Sequence, residues 1–123
     1  MSWEFKNDRP IYTQLVELLK KNIISGKYKP GDKLPSVREL ATEAAVNPNT
    51  MQRAFAELER EGLVYSQRTS GRVITEDMQK IQEIKEVAAM EFIKIFLKDM
   101  RELGFEDEAI LRLLQEYLMK NPD

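Results

Sequence analysis

The 123-residue sequence contains no cysteine and no histidine. Without cysteine there is no disulfide framework and no thiolate site, and without histidine the commonest general base and transition-metal ligand are missing. The serines and threonines therefore have no histidine partner that would activate them as nucleophiles. The five glycines are isolated and form no phosphate-binding loop. The sequence predicts neither an enzyme nor a protein with a metal or another cofactor.

Long apolar runs are also absent from the sequence. No stretch of about 18 residues is apolar enough to span a bilayer, so we expect no membrane partner. The N-terminal residues MSWEFKNDRP lack the basic and apolar blocks of a secretory signal. We therefore expect a cytoplasmic protein.

The charge is unevenly distributed along the chain, although the net charge is only −2. Residues 1–75 hold 12 Lys/Arg and 9 Asp/Glu, which gives +3, whereas residues 76–123 hold 7 and 12, which gives −5. A phosphate backbone responds to the local field within roughly 10 Å at 0.1 M salt. The acidic overall balance therefore does not exclude nucleic-acid binding by the first part.

The stretch from Leu34 to Gly62 reads as two short helices joined by a tight turn. Ser36 and Glu39 have the spacing of a capping box at the start of the first helix. Asn47 followed by Pro48 is a typical start for the second helix. This pattern predicts a helix-turn-helix, whose second helix enters the major groove of DNA.

Side chains that suit base edges are concentrated in the first turns of that second helix. Amides bind adenine, arginine binds guanine, and a threonine methyl contacts the thymine methyl. The predicted base-reading residues are Asn49, Thr50, Gln52 and Arg53. Arg38 lies on the first turn of the preceding helix, beside free backbone N–H groups, and we expect it to contact a phosphate. The alternative for Arg38 is a surface ion pair with a nearby carboxylate.

Two short strands, residues 63–66 and 72–75, follow the helices and are joined by a turn that contains a glycine. A hairpin in this position is a wing, and its small, basic tip suits the sugar-phosphate backbone or the minor groove. The wing residues predicted to contact DNA are Arg68, Thr69, Ser70, Gly71 and Arg72.

The remaining residues, 76–123, predict a long helix over 77–103 and a second helix after Gly104. The long helix has two apolar lines, more than one packing partner requires, and a 48-residue helical pair cannot bury them alone. We therefore expect a two-fold homodimer. The interface is predicted to include Ile84, Ala88, Phe92, Ile95, Phe96, Leu114 and Tyr117. A pocket for an unidentified small-molecule effector is the alternative use of this apolar surface.

Three segments together resemble the GntR family of bacterial transcription regulators. They are I-Y-x-Q-L (residues 11–15), G-K-Y-K-P-G-D-K-L-P-S-V-R-E-L-A (26–41) and V-N-P-N-T-M-Q-R-A-F-A-E-L-E-R-E-G-L-V (46–64). The two-helix tail around L-G-F-E-D-E-A-I (103–110) is similar to the YtrA-type subfamily. Pro48 and Gln52 depart from the basic residues that many relatives outside this subfamily carry there. The base preference therefore cannot be copied from those relatives.

The resemblance implies a mainly α fold with a small β-hairpin. A winged helix-turn-helix DNA-binding domain, residues 1–75, is followed by a helical dimerisation tail, residues 76–123. It also implies a sequence-specific transcription regulator, expected to be a repressor, that binds a palindromic double-stranded DNA operator as a homodimer and is associated with the nucleoid when bound. The alternative is a winged-helix protein-interaction module without specific DNA binding, which the acidic tail and its apolar helices would suit.

Overall fold

The helices and strands follow one another in the predicted order. The computed structural model describes residues 3–68 and 71–122. Within these ranges the elements are α1 (Ile11–Ile24), α2 (Val37–Ala44), α3 (Pro48–Arg60), β1 (Val64–Gln67), β2 (Gly71–Ile74), α4 (Met78–Glu102) and α5 (Asp107–Lys120). The prediction of a mainly helical fold with one antiparallel hairpin is confirmed. The strand ends differ from the predicted ones by one residue. The observed ladder pairs Val64 with Ile74 and Gln67 with Gly71.

The turn between α2 and α3 is fixed by caps on both helices. The Glu39 N–H donates to Ser36 Oγ at 3.1 Å, and the Ser36 N–H donates to the Glu39 carboxylate at 3.4 Å. Asn47 Oδ1 accepts from the Asn49 N–H at 2.7 Å at the start of α3. Between them Ala45, the C-cap of α2, adopts the left-handed conformation with φ 57°, which ends that helix. These local interactions set the angle between α2 and α3.

The core of the first part lies between α1, α2 and α3 and is closed by the hairpin. Its fully buried side chains include Leu15, Leu19, Ile23, Leu40, Met51, Phe55, Leu58, Leu63 and Ile74. Gln14 is also buried, but its amide is satisfied, because it donates to the backbone carbonyls of Lys6 and Arg9 at 2.8 Å. These hydrogen bonds fix the residues before α1 to that helix. Trp3 and Phe5 also pack against the core.

The hairpin is held to the domain along its second strand. The Leu34 N–H donates to the Arg72 carbonyl and the Ile74 N–H donates to the Asp32 carbonyl, each at 2.8 Å. The Gly31 N–H also donates to the Ile74 carbonyl at 2.9 Å. β2 therefore has hydrogen-bond partners on both edges, which gives a two-stranded wing support that it would lack alone.

The start of α4 belongs to the winged-helix core. Ile81 is buried in that core and Ile84 is half-buried against it. The chain accordingly divides by packing into Met1–Ile84 and Lys85–Asp123, inside α4. The sequence instead suggests a boundary after residue 75, between the part expected to bind DNA and the part expected to dimerise. That boundary remains a prediction. Ile84 was predicted at the dimer interface. Its packing against the core of its own chain explains the apolar side chain without a second copy.

The second unit, Lys85–Asp123, leaves most of its apolar surface exposed. Among its described residues Ile110 is the one buried apolar side chain. Of the predicted interface, Ala88 is half-buried, whereas Phe92, Ile95, Phe96, Leu114 and Tyr117 are all exposed. No helix in the described ranges is both long and apolar enough to cross a membrane.

Candidate nucleic-acid interface

The first half of α3 presents the predicted base-reading side chains to solvent. Asn49, Gln52 and Arg53 are exposed and Thr50 is half-buried, while Met51 faces the core. The side chains of Asn49 and Gln52 form no hydrogen bond with any described residue. Their amide groups are therefore available to an external partner, and each can donate and accept at the same time, as adenine requires.

Arg53 is exposed but is not isolated. Its guanidinium carbon lies 4.1 Å from the centre of the Tyr12 ring on α1, which is the geometry of a cation–π interaction. No carboxylate of the described residues pairs with it. The guanidinium is thus held by a neutral ring face that uses none of its hydrogen-bond donors.

The second half of α3 is acidic, but its carboxylates are paired with cations. Arg60 Nε donates to Glu57 at 2.9 Å, and this hydrogen bond lowers the pKa of the Glu57 carboxyl. Lys20 on α1 contacts Glu61 at 2.7 Å. These pairs reduce the repulsion that the end of the helix would exert on a phosphate backbone.

Arg72 is bound to α3 by Glu59, a residue in the acidic second half of that helix. Its Nε lies 3.3 Å from Glu59 Oε1, and its guanidinium carbon lies 5.3 Å from the centre of the Phe55 ring. Ser66 on β1 donates to the same Glu59 oxygen at 3.0 Å. The Arg72 side chain is 22% exposed, so it connects the wing to α3, a contact that the sequence did not predict.

Arg38 and Arg68 are two exposed cations of the predicted DNA-contact set. Arg38 lies on the first turn of α2 and has no ion-pair partner among the described residues. The alternative of a surface ion pair with a nearby carboxylate is therefore not what the structure contains. Arg68 is exposed at the wing, and Gly71 has φ 75°, a conformation that glycine adopts without strain. The predicted contacts Thr69 and Ser70 lie outside the described residues.

Sequence reasoning missed two residues of this surface, Tyr12 and Glu59. Tyr12 belongs to the segment I-Y-x-Q-L, but it carried no signal for a role near α3. Glu59 could have been found from the requirement that a basic wing must pack on the preceding helix. No cluster of metal-binding side chains is found in the part of the chain that the structure describes.

Comparison with known proteins identifies the family. The sequence profile described as "Bacterial regulatory proteins, gntR family" matches residues 11–74. The Bacillus subtilis protein "Uncharacterized HTH-type transcriptional regulator YhcF" is 38% identical over 95% of this chain and 97% of its own length. "HTH-type transcriptional repressor YtrA" of the same organism is 39% identical over 90% of this chain and 86% of its own length.

Solved structures agree with this assignment. A GntR family transcriptional regulator from Listeria monocytogenes superposes with a TM-score of 0.84 at 40% identity, covering 91% of this chain and 98% of that protein. The similarity therefore includes the tail. The DNA-binding domain of AraR, in complex with operator ORX1, superposes with a TM-score of 0.54 at 28% identity, over 58% of this chain and 93% of that domain.

The relatives are transcription regulators, which are not enzymes, and they do not support the alternative of a protein-interaction module. Relatives that match along nearly the whole chain, tail included, are YtrA and YhcF. The protein therefore belongs to the GntR family of bacterial regulatory proteins, with YtrA-type relatives, and is a DNA-binding transcription regulator.

Proposed function

We propose that the protein is a repressor that binds a palindromic operator as a homodimer. Each protomer reads one half-site with the first half of α3, and the half-sites lie about one helical turn apart, roughly 34 Å. Bound in this way, the dimer occludes the promoter. The observation that carries the proposal is that the exposed amides Asn49 and Gln52, on the early turns of α3, form no side-chain hydrogen bond with any described residue.

Base reading is assigned to Asn49, Thr50, Gln52 and Arg53. These four residues occupy the turns that a recognition helix presents to base edges. The ion pairs lie in the acidic second half of α3, whereas the side chains of its first half form no hydrogen bond or ion pair with any described residue. This difference supports an approach of DNA to the first half.

Phosphate contacts are assigned to Arg38, Arg68 and the turn that ends at Gly71. Arg38 is exposed beside the N-terminus of α2, where backbone N–H groups and the helix dipole also favour an anion. Arg72 has a different role in this proposal, because its guanidinium is shared with Glu59. We assign it to orienting the wing, with a phosphate contact only at the exposed edge of its side chain.

Dimerisation is assigned to the predicted tail, residues 76–123, and within it to the part after Ile84, because the start of α4 packs in the winged-helix core. Phe92 and Tyr117 are 73% and 64% exposed, and aromatic side chains contribute much of the energy of protein interfaces. Among the described residues after Ile84, Ile110 is the one buried apolar side chain, so the end of α4 and α5 lack a core of their own. A second copy, with the same sequence and the same exposed faces, supplies one by two-fold symmetry.

Repression is supported by the name of YtrA, a transcriptional repressor that matches this chain over most of both lengths. A regulator that binds bacterial DNA acts in the cytoplasm. A small-molecule effector bound between the tail helices would change the separation of the two α3 helices and so the affinity for the operator.

Footprinting on the DNA upstream of the protein's own gene tests the proposal. We expect two protected half-sites with their centres about one turn apart, and an affinity that falls steeply as salt is raised from 50 to 200 mM. A shuffled fragment of the same length and composition is the control. Protection of a single half-site would contradict the dimeric arrangement, and equal affinity for the shuffled fragment would contradict sequence-specific repression.

A further inference from the structure

We infer that Tyr12 is a positioning residue for DNA recognition, which holds the Arg53 guanidinium ready for an acceptor on the DNA. The inference rests on the proposed function, because it concerns the side chain that would read a base. It assigns a role in that function to α1, an element that lies outside the helix-turn-helix.

The geometry of Tyr12 favours a fixed platform for Arg53. Tyr12 lies on the first turn of α1, and its ring is partly buried against the core cluster. The packing of α1 along α3 brings the ring to 4.1 Å from the Arg53 guanidinium carbon. The ring therefore cannot move away without disturbing the core, whereas Arg53 on its outer face is exposed.

The kind of partner distinguishes Arg53 from its neighbours. Arg60 is bound to Glu57 and Arg72 is bound to Glu59, so both already use N–H donors on carboxylates. A ring face attracts the cation through its π-electrons and leaves all five N–H donors of the guanidinium plane free. Arg53 is thus restrained without being neutralised, which suits a residue that must form a bidentate contact with a guanine edge or a phosphate.

Restraint improves binding because an arginine otherwise loses rotamer freedom when it docks. An exposed cation–π contact corresponds to about a two- to fivefold change in an equilibrium constant. We therefore expect Tyr12→Leu to weaken operator binding by about two- to fivefold. Tyr12→Phe keeps the ring and should bind within about twofold of the unmodified protein.

A double-mutant cycle with Arg53→Ala separates positioning from a structural role. Operator dissociation constants are measured for Tyr12→Leu, Arg53→Ala and the combination, with thermal unfolding of each variant alongside. We expect Arg53→Ala to weaken binding and Tyr12→Leu to add nothing in its presence. An equal loss from Tyr12→Leu in both backgrounds would overturn the inference. A loss from Tyr12→Phe as large as that from Tyr12→Leu would also overturn it, because the phenol hydroxyl would then be the contact.

A measurement on the free protein keeps this inference distinct from the proposed function. The Arg53 side-chain N–H resonance should lie upfield in the NMR spectrum because of the ring above it, and should move downfield in Tyr12→Leu. An unchanged resonance overturns the positioning role even if the operator is bound as proposed. If the resonance moves but Arg53→Ala binds the operator normally, the assignment of Arg53 to DNA is wrong and Tyr12 has no part in recognition.

Discussion

Removing the Phe92 ring should weaken the proposed homodimer far more than it weakens the fold. Phe92 is 73% exposed within one chain, so Phe92→Ala removes little that the monomer has buried. In a two-fold dimer the substitution occurs twice. If each ring is buried at the interface, it contributes about 1.5–3 kcal/mol, and the two together contribute about 3–6 kcal/mol. The dissociation constant of the dimer should therefore rise by about two to four orders of magnitude.

Sedimentation equilibrium over a wide concentration range measures this effect, since the chain mass is 14.4 kDa and a dimer has twice that mass. Met78→Ala is a matched control, because Met78 is 60% exposed on the same helix but lies in the winged-helix unit. It should leave the dissociation constant unchanged. A wild-type protein that stays monomeric throughout, or a Phe92→Ala protein that dimerises as tightly as wild type, would refute the reasoning.

Three further substitutions test the interface and its support. Arg38→Ala should weaken binding to all DNA sequences and reduce the slope of log K against log salt by about one unit, as measured by salt titration; an unchanged slope would remove Arg38 from the phosphate contacts. Asn49→Ala should cost about 1–3 kcal/mol on the operator and much less on random DNA, as measured by competition gel shifts; equal losses on both would contradict base reading. Ser36→Ala should lower the free energy of unfolding by about 1 kcal/mol, whereas Ser36→Gly should cost only a few tenths, as measured by urea denaturation; equal costs for the two variants would show that the cap is not the cause.

Local signals in the sequence were sufficient for the helix starts. The Ser36 capping box and the Asn47 cap are made by residues two or three positions apart, so their hydrogen bonds follow from the order of residues alone. The strand ends were less accurate, because register depends on pairing between segments. The hydrogen bonds from residues 31–34 to β2 join segments about forty positions apart, and no local pattern predicts them.

The exposure of the candidate base-reading residues was predicted from the sequence, whereas their contacts within the chain were not. Asn49 and Gln52 lie exposed at the start of α3 as expected, since helical periodicity alone separates them from Met51. The same periodicity could not indicate that Arg72 would be bound to Glu59. That contact depends on how the wing packs against α3, which is a property of the folded domain.

The sequence by itself determined the order of the elements, the caps of α2 and α3 and the family, because each depends on residue types at short, fixed spacings. Only the tertiary structure decided which arginines have partners within the chain. Arg38, Arg53 and Arg72 look alike in sequence. Among the described residues, however, Arg38 has no ion-pair partner, Arg53 stacks on Tyr12 and Arg72 pairs with Glu59. The physical reason is that a charged side chain takes its partner from whatever packing brings within a few ångströms, and those neighbours come from distant parts of the chain.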